Sequence, residues 1–158
     1  MEIRNKHRMA IAMLASLACG IAFASDAPLS GDKAVKWGPP PPVFPSGAKF
    51  AVIAGDPGKT GLVTVRFQMP AGYKIPPHFH PTDEHVTVLK GQFAIGMGDA
   101  FDEARAMVLG PGGYGIAVAN MHHYAFAKTA ATIQVHMQGP FAITYVNPAD
   151  DPSRKSGK

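Results

Sequence analysis

The feature that most constrains the fold of this chain is a series of short runs in which apolar and polar residues alternate. In LVTVRFQMP, residues 62–70, the apolar side chains occupy every second position. Successive side chains of a β-strand point to opposite faces, so this run predicts a strand with one buried face. Similar runs, separated by glycine and proline, follow in HVTVLKGQFAIGMG, YGIAVANMHHYAFA and TIQVHMQGPFAITYV. About eight such strands predict an all-β protein, an antiparallel sandwich or barrel.

The alternating runs define a domain over residues 49–147, flanked by two segments of different composition. Residues 25–48 include WGPPPPVFPSG, and four consecutive prolines predict an extended arm. Trp37, Val43 and Phe44 give this arm apolar side chains, so we expect it to pack against the domain or a second subunit. Residues 148–158 form a polar tail. Only AFDEARAMVL has helix-like composition, which indicates a single turn or an insertion.

Residues 1–24 have the composition of a secretory signal peptide. The charged head MEIRNKHR precedes the apolar run MAIAMLASLACGIAFA, which ends in an A-x-A site. The run is shorter than the roughly 20 residues of a membrane span. We therefore predict cleavage after Ala24, a periplasmic or secreted mature protein and no stable membrane insertion. An uncleaved membrane anchor is one alternative, and lipidation at Cys19 is another, although Ser16 stands where a lipoprotein signal usually has leucine.

Cleavage changes both the cysteine content and the charge of the chain. Cys19 is the only cysteine, so the mature chain has neither a disulfide nor a thiolate ligand. The mature chain keeps 12 basic and 10 acidic residues, which lowers the formal net charge from +4 to +2. The basic residues are scattered rather than clustered. We do not expect nucleic acid as a partner.

Six histidines remain after cleavage, all between residues 78 and 136. His78 and His80 are two positions apart and would project from the same face of a strand. Glu84 follows a turn signal at residues 81–83, which would let the next strand fold back beside the first. His123 arrives on a later strand. Neutral imidazoles with one carboxylate suit a first-row transition metal, whereas the alternative is a polar surface turn rich in histidine.

The stretch from Gly72 to Gly91 reads G-x5-H-x-H-x3-E-x6-G at every fixed position. This pattern resembles the first conserved motif of the cupin superfamily. The second cupin motif, G-x5-P-x-G-x2-H-x3-N, falls on GGYGIAVANMHHYAFA, with departures at Val118, Asn120 and Ala127. The change from glycine to asparagine is mild, because asparagine tolerates left-handed backbone conformation.

The resemblance covers roughly residues 50–146 and implies an antiparallel jelly-roll β-barrel. It implies one divalent transition metal ion (Fe, Mn, Ni, Cu or Zn) held by His78, His80, Glu84 and His123. Four protein ligands leave one or two coordination positions open, as in catalytic sites.

For the other three histidines, strand alternation partly predicts whether the side chain faces the metal. His85 and His122 each neighbour a predicted ligand, so regular strands would turn them away from the metal. His136 and Gln134 belong to a polar row that alternates with an apolar row on one strand. If the polar row faces the barrel interior, these two residues would lie near the metal as acid-base or substrate-orienting groups. If instead the apolar row fills the core, His136 and Gln134 face solvent. Alternation alone does not decide between the two arrangements.

The function that these observations indicate is a mononuclear metal enzyme, of dioxygenase type, acting on a small oxygen-bearing molecule. A non-redox isomerase or decarboxylase and a non-catalytic periplasmic binding protein are the alternatives. A buried acid-base group beside the open coordination positions would favour proton transfer, whereas apolar surroundings would favour dioxygen chemistry or binding.

We also expect a homodimer to which the arm contributes. Candidate pocket walls are Tyr73, Phe79, Met97, Tyr124 and Phe126.

Overall fold

The computed structural model describes Gly31 and residues 35–155. The predicted signal peptide, with Cys19 and the cleavage point after Ala24, lies outside these residues, and it stays a prediction. Across the described part of the chain, no helix combines the length and the apolar character that a membrane span requires.

The described residues form ten β-strands and three short 3-10 helices. The strands are β1 Lys49–Ala54, β2 Gly61–Met69, β3 Lys74–Phe79, β4 Glu84–Lys90, β5 Phe93–Met97, β6 Met107–Leu109, β7 Tyr114–Ala117, β8 His123–Ala127, β9 Ala131–Gly139 and β10 Thr144–Tyr145. The 3-10 helices are Glu103–Arg105, Pro148–Asp150 and Pro152–Lys155. The first of them lies in the segment of helix-like composition, and the other two lie in the polar tail.

The strands form two five-stranded antiparallel sheets. The order in the first sheet is β1-β2-β9-β4-β7, and the order in the second is β10-β3-β8-β5-β6. Residues of both sheets contribute to one hydrophobic core. This arrangement confirms the predicted all-β fold of jelly-roll type.

Strands β3 and β4 lie in different sheets, so the expectation that β4 folds back beside β3 is wrong. The four residues 80–83 between them can extend roughly 13 Å, which is enough to cross the ~10 Å between two packed sheets. His78 consequently pairs with His123 in the second sheet, whereas Glu84 pairs with Met137 and Ala117 in the first.

Alternation along the two longest strands determines which side chains enter the core. On β2 the apolar row Val63, Val65, Phe67 and Met69 is buried, as predicted. On β9 the odd-numbered residues 131–139 are buried, and the even-numbered ones are half-buried or exposed. The apolar row of β9 therefore fills the core, and its polar row faces outward.

The described part of the proline-rich arm packs against the domain. Gly38 forms an isolated antiparallel bridge with Phe50 of β1, and Phe44 is only 7% exposed within the core. Contribution of this arm to a homodimer stays a prediction.

Candidate metal centre

Three histidines gather between the two sheets. His78 lies on β3, His80 directly follows β3, and His123 begins β8. One potential ligand atom from each of the three lies within 4.8 Å of the others. All three side chains are buried, with exposures of 3–4%. The structure thus brings together three of the four residues that the sequence singled out as metal ligands.

Each of these imidazoles makes the same kind of hydrogen bond to the main chain. Nδ1 of His78 lies 2.7 Å from the carbonyl oxygen of Pro76. Nδ1 of His80 lies 2.8 Å from that of Ala142, and Nδ1 of His123 lies 2.9 Å from that of Met121. A carbonyl oxygen only accepts, so each Nδ1 carries the proton and donates it. Each neutral ring therefore presents the unprotonated Nε2 lone pair, the form that coordinates metals.

The protonation state of the cluster also suits a metal. Burial lowers the pKa of all three imidazoles, that of His78 to about 2. The rings are therefore neutral at physiological pH, as ligation requires. Nε2 of His80 is buried and has no hydrogen-bond partner among the described residues. A buried polar atom left unpaired is costly, and a bound cation would satisfy it, so the residues fit a metal ion.

Glu84 lies at the edge of the histidine cluster. Its Oε2 atom is 3.4 Å from Nε2 of His80. The contact is not an ion pair, because burial keeps the His80 ring neutral. Burial also raises the pKa of the Glu84 carboxyl to about 7. A cation bound beside it would favour the charged carboxylate, so Glu84 can act as the fourth ligand.

The cluster forms one side of a cavity whose remaining lining is apolar. The lining residues other than the three histidines and Glu84 are Pro41, Phe44, Phe50, Pro57, Val65, Phe67, Ile75, Val86, Phe93, Ile95, Ala117, Ala125, Ile133, Val135, Met137 and Phe141. The cavity has a volume of about 60 Å³. That volume is room for a few water molecules or one small organic molecule.

The structure does not bring His136 and Gln134 to the cavity. His136 lies on the outer face of the first sheet, where its Nδ1 is 2.9 Å from Oγ1 of Thr64 and its Nε2 is 3.0 Å from Nε2 of Gln134. Ile133 and Val135, the apolar neighbours on β9, line the cavity instead. Of the two alternatives for this strand, the structure has the one in which the apolar row fills the core, so the tentative acid-base role of His136 and Gln134 beside the metal has no support from their positions.

His85 and His122 also lie away from the cavity. Nδ1 of His85 is hydrogen-bonded to the hydroxyl of Tyr114, its neighbour on the outer face. Nδ1 of His122 lies 2.6 Å from Oδ1 of Asp99. Both positions agree with the alternation argument.

The aromatic walls of the cavity differ from those expected. Tyr73, Phe79, Met97, Tyr124 and Phe126 are not part of its lining. The aromatic lining comes from Phe44, Phe50, Phe67, Phe93 and Phe141. Phe67 belongs to the buried row of β2, so its alternation could have identified it. Phe44 and Phe141 lie outside the strands, where no periodicity signals burial.

Asn120, which replaces the glycine of the second motif, has φ +61°. It therefore adopts the left-handed conformation that asparagine tolerates better than other non-glycine residues. Its backbone N–H donates to the carbonyl oxygen of His80 at 2.8 Å. This turn ties the segment before β8 to the residue that carries a predicted ligand.

Comparison with known proteins places these motifs in a family. Residues 30–142 match the model of the ChrR cupin-like domain. None of the curated proteins with which the sequence was compared matches it.

Several solved structures have a similar fold. The polyketide cyclase RemF from Streptomyces resistomycificus superposes with a TM-score of 0.65 at 19% identity, over 82% of this chain and 92% of that one. A putative acetylacetone dioxygenase from Methylibium petroleiphilum PM1 gives 0.58 at 20% identity, over 96% and 90%. An RmlC-like cupin from Shewanella frigidimarina NCIMB 400 gives 0.55 at 16% identity, over 69% and 87%. At these identities the similarity concerns the fold.

Proposed function

This chain belongs to the ChrR cupin-like domain family of the cupin superfamily, and on that premise we propose that it is a mononuclear metal enzyme of dioxygenase type. Its substrate would be a small oxygen-bearing molecule. The observation that carries the proposal is the cluster of three buried, neutral imidazoles in an otherwise apolar cavity. The Nδ1 atoms bond to main-chain carbonyls, but Nε2 of His80 has no hydrogen-bond partner among the described residues, and a metal ion would supply one.

In this proposal His78, His80 and His123 supply nitrogen ligands and Glu84 supplies a carboxylate. A divalent transition metal held there would provide adjacent open positions for dioxygen and for the oxygen atoms of a substrate. The Nδ1 hydrogen bonds to main-chain carbonyls keep the three rings oriented. The apolar walls exclude water and contact the carbon skeleton of the substrate.

The composition of the cavity favours oxidation over proton transfer. Apart from the three histidines and Glu84, no side chain in the lining of this cavity can exchange a proton. If Glu84 ligates the metal, it is not free to act as a general base. One protein of similar fold is a putative acetylacetone dioxygenase, and an oxidation of that kind is compatible with this chemistry.

A second candidate is a non-redox reaction, such as isomerisation, decarboxylation or cyclisation. It is favoured by the raised pKa of Glu84, which lies near neutrality and would suit a group that moves a proton. The name of another similar structure, a polyketide cyclase, is compatible with it. A binding protein without turnover would use the same cavity.

We further propose that the protein acts in the periplasm or outside the cell, after cleavage following Ala24. Its partner is a small molecule rather than nucleic acid, and its assembly is a homodimer. N-terminal sequencing of the protein from culture fractions tests the first point, and light scattering of the mature chain tests the last.

Elemental analysis tests the metal. The untagged mature protein should contain about one equivalent of a divalent transition metal, and the His78→Ala variant should contain almost none. Iron, copper or nickel would be followed by oxygen-uptake assays with phenols and keto acids, with His78→Ala as the matched control. Zinc or manganese would favour the non-redox candidate. Absence of metal even after reloading would contradict the proposal.

A further inference from the structure

The proline-rich arm supplies part of the wall around the histidine cluster. Phe44 lies in the middle of the arm, is 7% exposed and lines the same cavity as the three histidines. Its ring centroid is 4.9 Å from that of Phe67 on β2, in an edge arrangement. It is 5.7 Å from that of Phe141, in a stacked arrangement. A residue outside the ten strands is therefore an integral part of the cavity.

Two tyrosines hold Phe44 in this position; one lies on β10 and the other directly precedes β3, and both strands belong to the second sheet. The hydroxyl of Tyr145 donates to the carbonyl oxygen of Val43 at 2.7 Å. The hydroxyl of Tyr73 donates to the carbonyl oxygen of Pro45 at 2.6 Å. The two acceptors are the residues on either side of Phe44. An arm rich in proline has few N–H groups with which to join a sheet, so side-chain donors from the domain add to the main-chain bridge between Gly38 and Phe50.

A chain of contacts connects Phe44 to the histidines. Phe141, which stacks on Phe44, has its ring centroid 5.5 Å from that of His80. The next residue, Ala142, provides the carbonyl oxygen that accepts from Nδ1 of His80. Phe141 is itself attached to Pro57 through a backbone hydrogen bond of 2.8 Å. The segment that orients a predicted ligand thus also carries the ring against which the arm packs.

Loop residues form the outer part of this side of the cavity. Pro41, Pro57 and Phe141 all line it, and all three are only half-buried. They come from the arm, from the connection between β1 and β2, and from the segment after β9. Half-buried residues from three loops therefore line this side of the cavity, next to the buried ring of Phe44.

We propose that Phe44 determines the size of the molecules that reach the histidine cluster, and that Tyr73 and Tyr145 are positioning residues that keep its ring in place. The inference rests on the proposed function in taking the histidine cluster as the reacting site. It restricts the substrate to compact molecules whose apolar part fits beside the stacked rings of Phe44 and Phe141. Larger substrates would require displacement of the arm.

Acylation by diethyl pyrocarbonate tests this proposal without relying on turnover. The reagent modifies neutral imidazole nitrogens, and peptide mass spectrometry gives a rate for each histidine. The full mature chain is first freed of metal by dialysis against a chelator. We expect slow modification of His78, His80 and His123 in the wild type, and a roughly tenfold increase in Phe44→Ala, since the truncation leaves an open cavity. The outward-facing His85 and His136 serve as references within the same chain.

Further variants separate access from loss of stability. Phe44→Leu keeps most of the apolar volume, so it should increase the modification rate of the three histidines less than Phe44→Ala does. It replaces Phe44→Ala as the test if that variant does not fold. Tyr73→Phe and Tyr145→Phe remove only a hydroxyl, and each should speed the modification of the cluster about twofold to threefold by loosening the arm. Val63→Ala is the control for destabilisation, because Val63 is buried and does not line the cavity. It should leave the rates of the three histidines unchanged.

Two outcomes would overturn the proposal: equal rates in Phe44→Ala, Phe44→Leu and the wild type, or an equal increase in Val63→Ala. The same assay after reloading with metal tests the proposed function separately. Metal should protect the three histidines in the wild type and in Phe44→Ala alike. Lack of protection would contradict metal binding, while the difference between the metal-free variants would still decide the role of Phe44.

Discussion

The Nε2 atom of His80 lies 3.4 Å from the Oε2 atom of Glu84, and both side chains are shielded from solvent. The imidazole is neutral, and the carboxyl has a raised pKa, so the two groups are in contact without forming an ion pair. A cation between or beside them would ionise the carboxyl and coordinate the free lone pair. This contact distinguishes the two roles that Glu84 can have.

Glu84→Gln keeps the size of the side chain and removes its charge. If Glu84 is a ligand, we expect the affinity for metal to fall at least tenfold, roughly the cost of disturbing a metal site. Competition with a chromogenic chelator measures this affinity. Unchanged affinity with loss of turnover would instead identify Glu84 as the proton-transfer group of the non-redox candidate.

His78→Ala and His123→Ala should each lower the metal content from about one equivalent to below about a tenth, because the two remaining imidazoles and Glu84 are too few ligands to retain the ion. His85→Ala is the matched control and should retain the metal, since its ring faces the opposite side of the sheet. Elemental analysis of the purified variants gives the result. Loss of metal in His85→Ala alone would refute the ligand assignment.

Asn120 should tolerate glycine but not a β-branched residue. Its φ of +61° costs valine about 1–2 kcal/mol, whereas glycine adopts this conformation freely. We therefore expect Asn120→Val to lower the free energy of unfolding by about that amount, and Asn120→Gly to change it by less than about 0.5 kcal/mol. Urea unfolding followed by circular dichroism measures both. Equal stabilities of the two variants would show that the turn relaxes.

The Tyr73 hydroxyl should make stability depend on alkaline pH. It donates to the carbonyl oxygen of Pro45, and burial raises its pKa above the ordinary value. The unfolded chain releases this proton near pH 10, whereas the folded chain releases it only at higher pH. The contribution of the hydroxyl is therefore complete below about pH 10 and is lost as the pH rises above that value.

Urea unfolding between about pH 8 and pH 11 tests this dependence, since the ordinary tyrosine pKa lies within that range. Tyr73→Phe should lower stability at pH 8 by about 1 kcal/mol and should reduce the decline above pH 10. Tyr114→Phe provides the control for removal of a more exposed hydroxyl, because Tyr114 is 52% exposed. An identical decline in wild type and Tyr73→Phe would contradict the prediction.

Alternation in the sequence was sufficient to predict the all-β class and the shared face of His78 and His80, whereas the jelly-roll fold and the place of His123 in the cluster followed from the motif resemblance. His78 and His80 project together for the same reason that Val63 and Val65 do: residues two apart share a face of a strand. The motif glycines Gly72 and Gly91 have φ of +78° and +75°, which explains why these positions favour glycine.

Contacts between residues that are far apart in the sequence could not be predicted from the spacing of residue types. The outward position of His136 depends on which row of β9 meets the other sheet, and both rows alternate equally well. The assignment of β3 and β4 to different sheets depends on packing, since a short connection suits a hairpin or a crossing. Phe44 and Phe141 acquire their place in the cavity through tertiary contacts, and neither belongs to a periodic run.

The main-chain acceptors of the three imidazoles have a consequence for how this site can change during evolution. The carbonyl oxygens of Pro76, Met121 and Ala142 orient the rings, and every amino acid possesses such an oxygen. Substitutions at these three positions can therefore accumulate without altering the tautomer of a histidine ligand. Neighbouring cavity walls can diversify toward new substrates while the histidine geometry is inherited unchanged through the backbone.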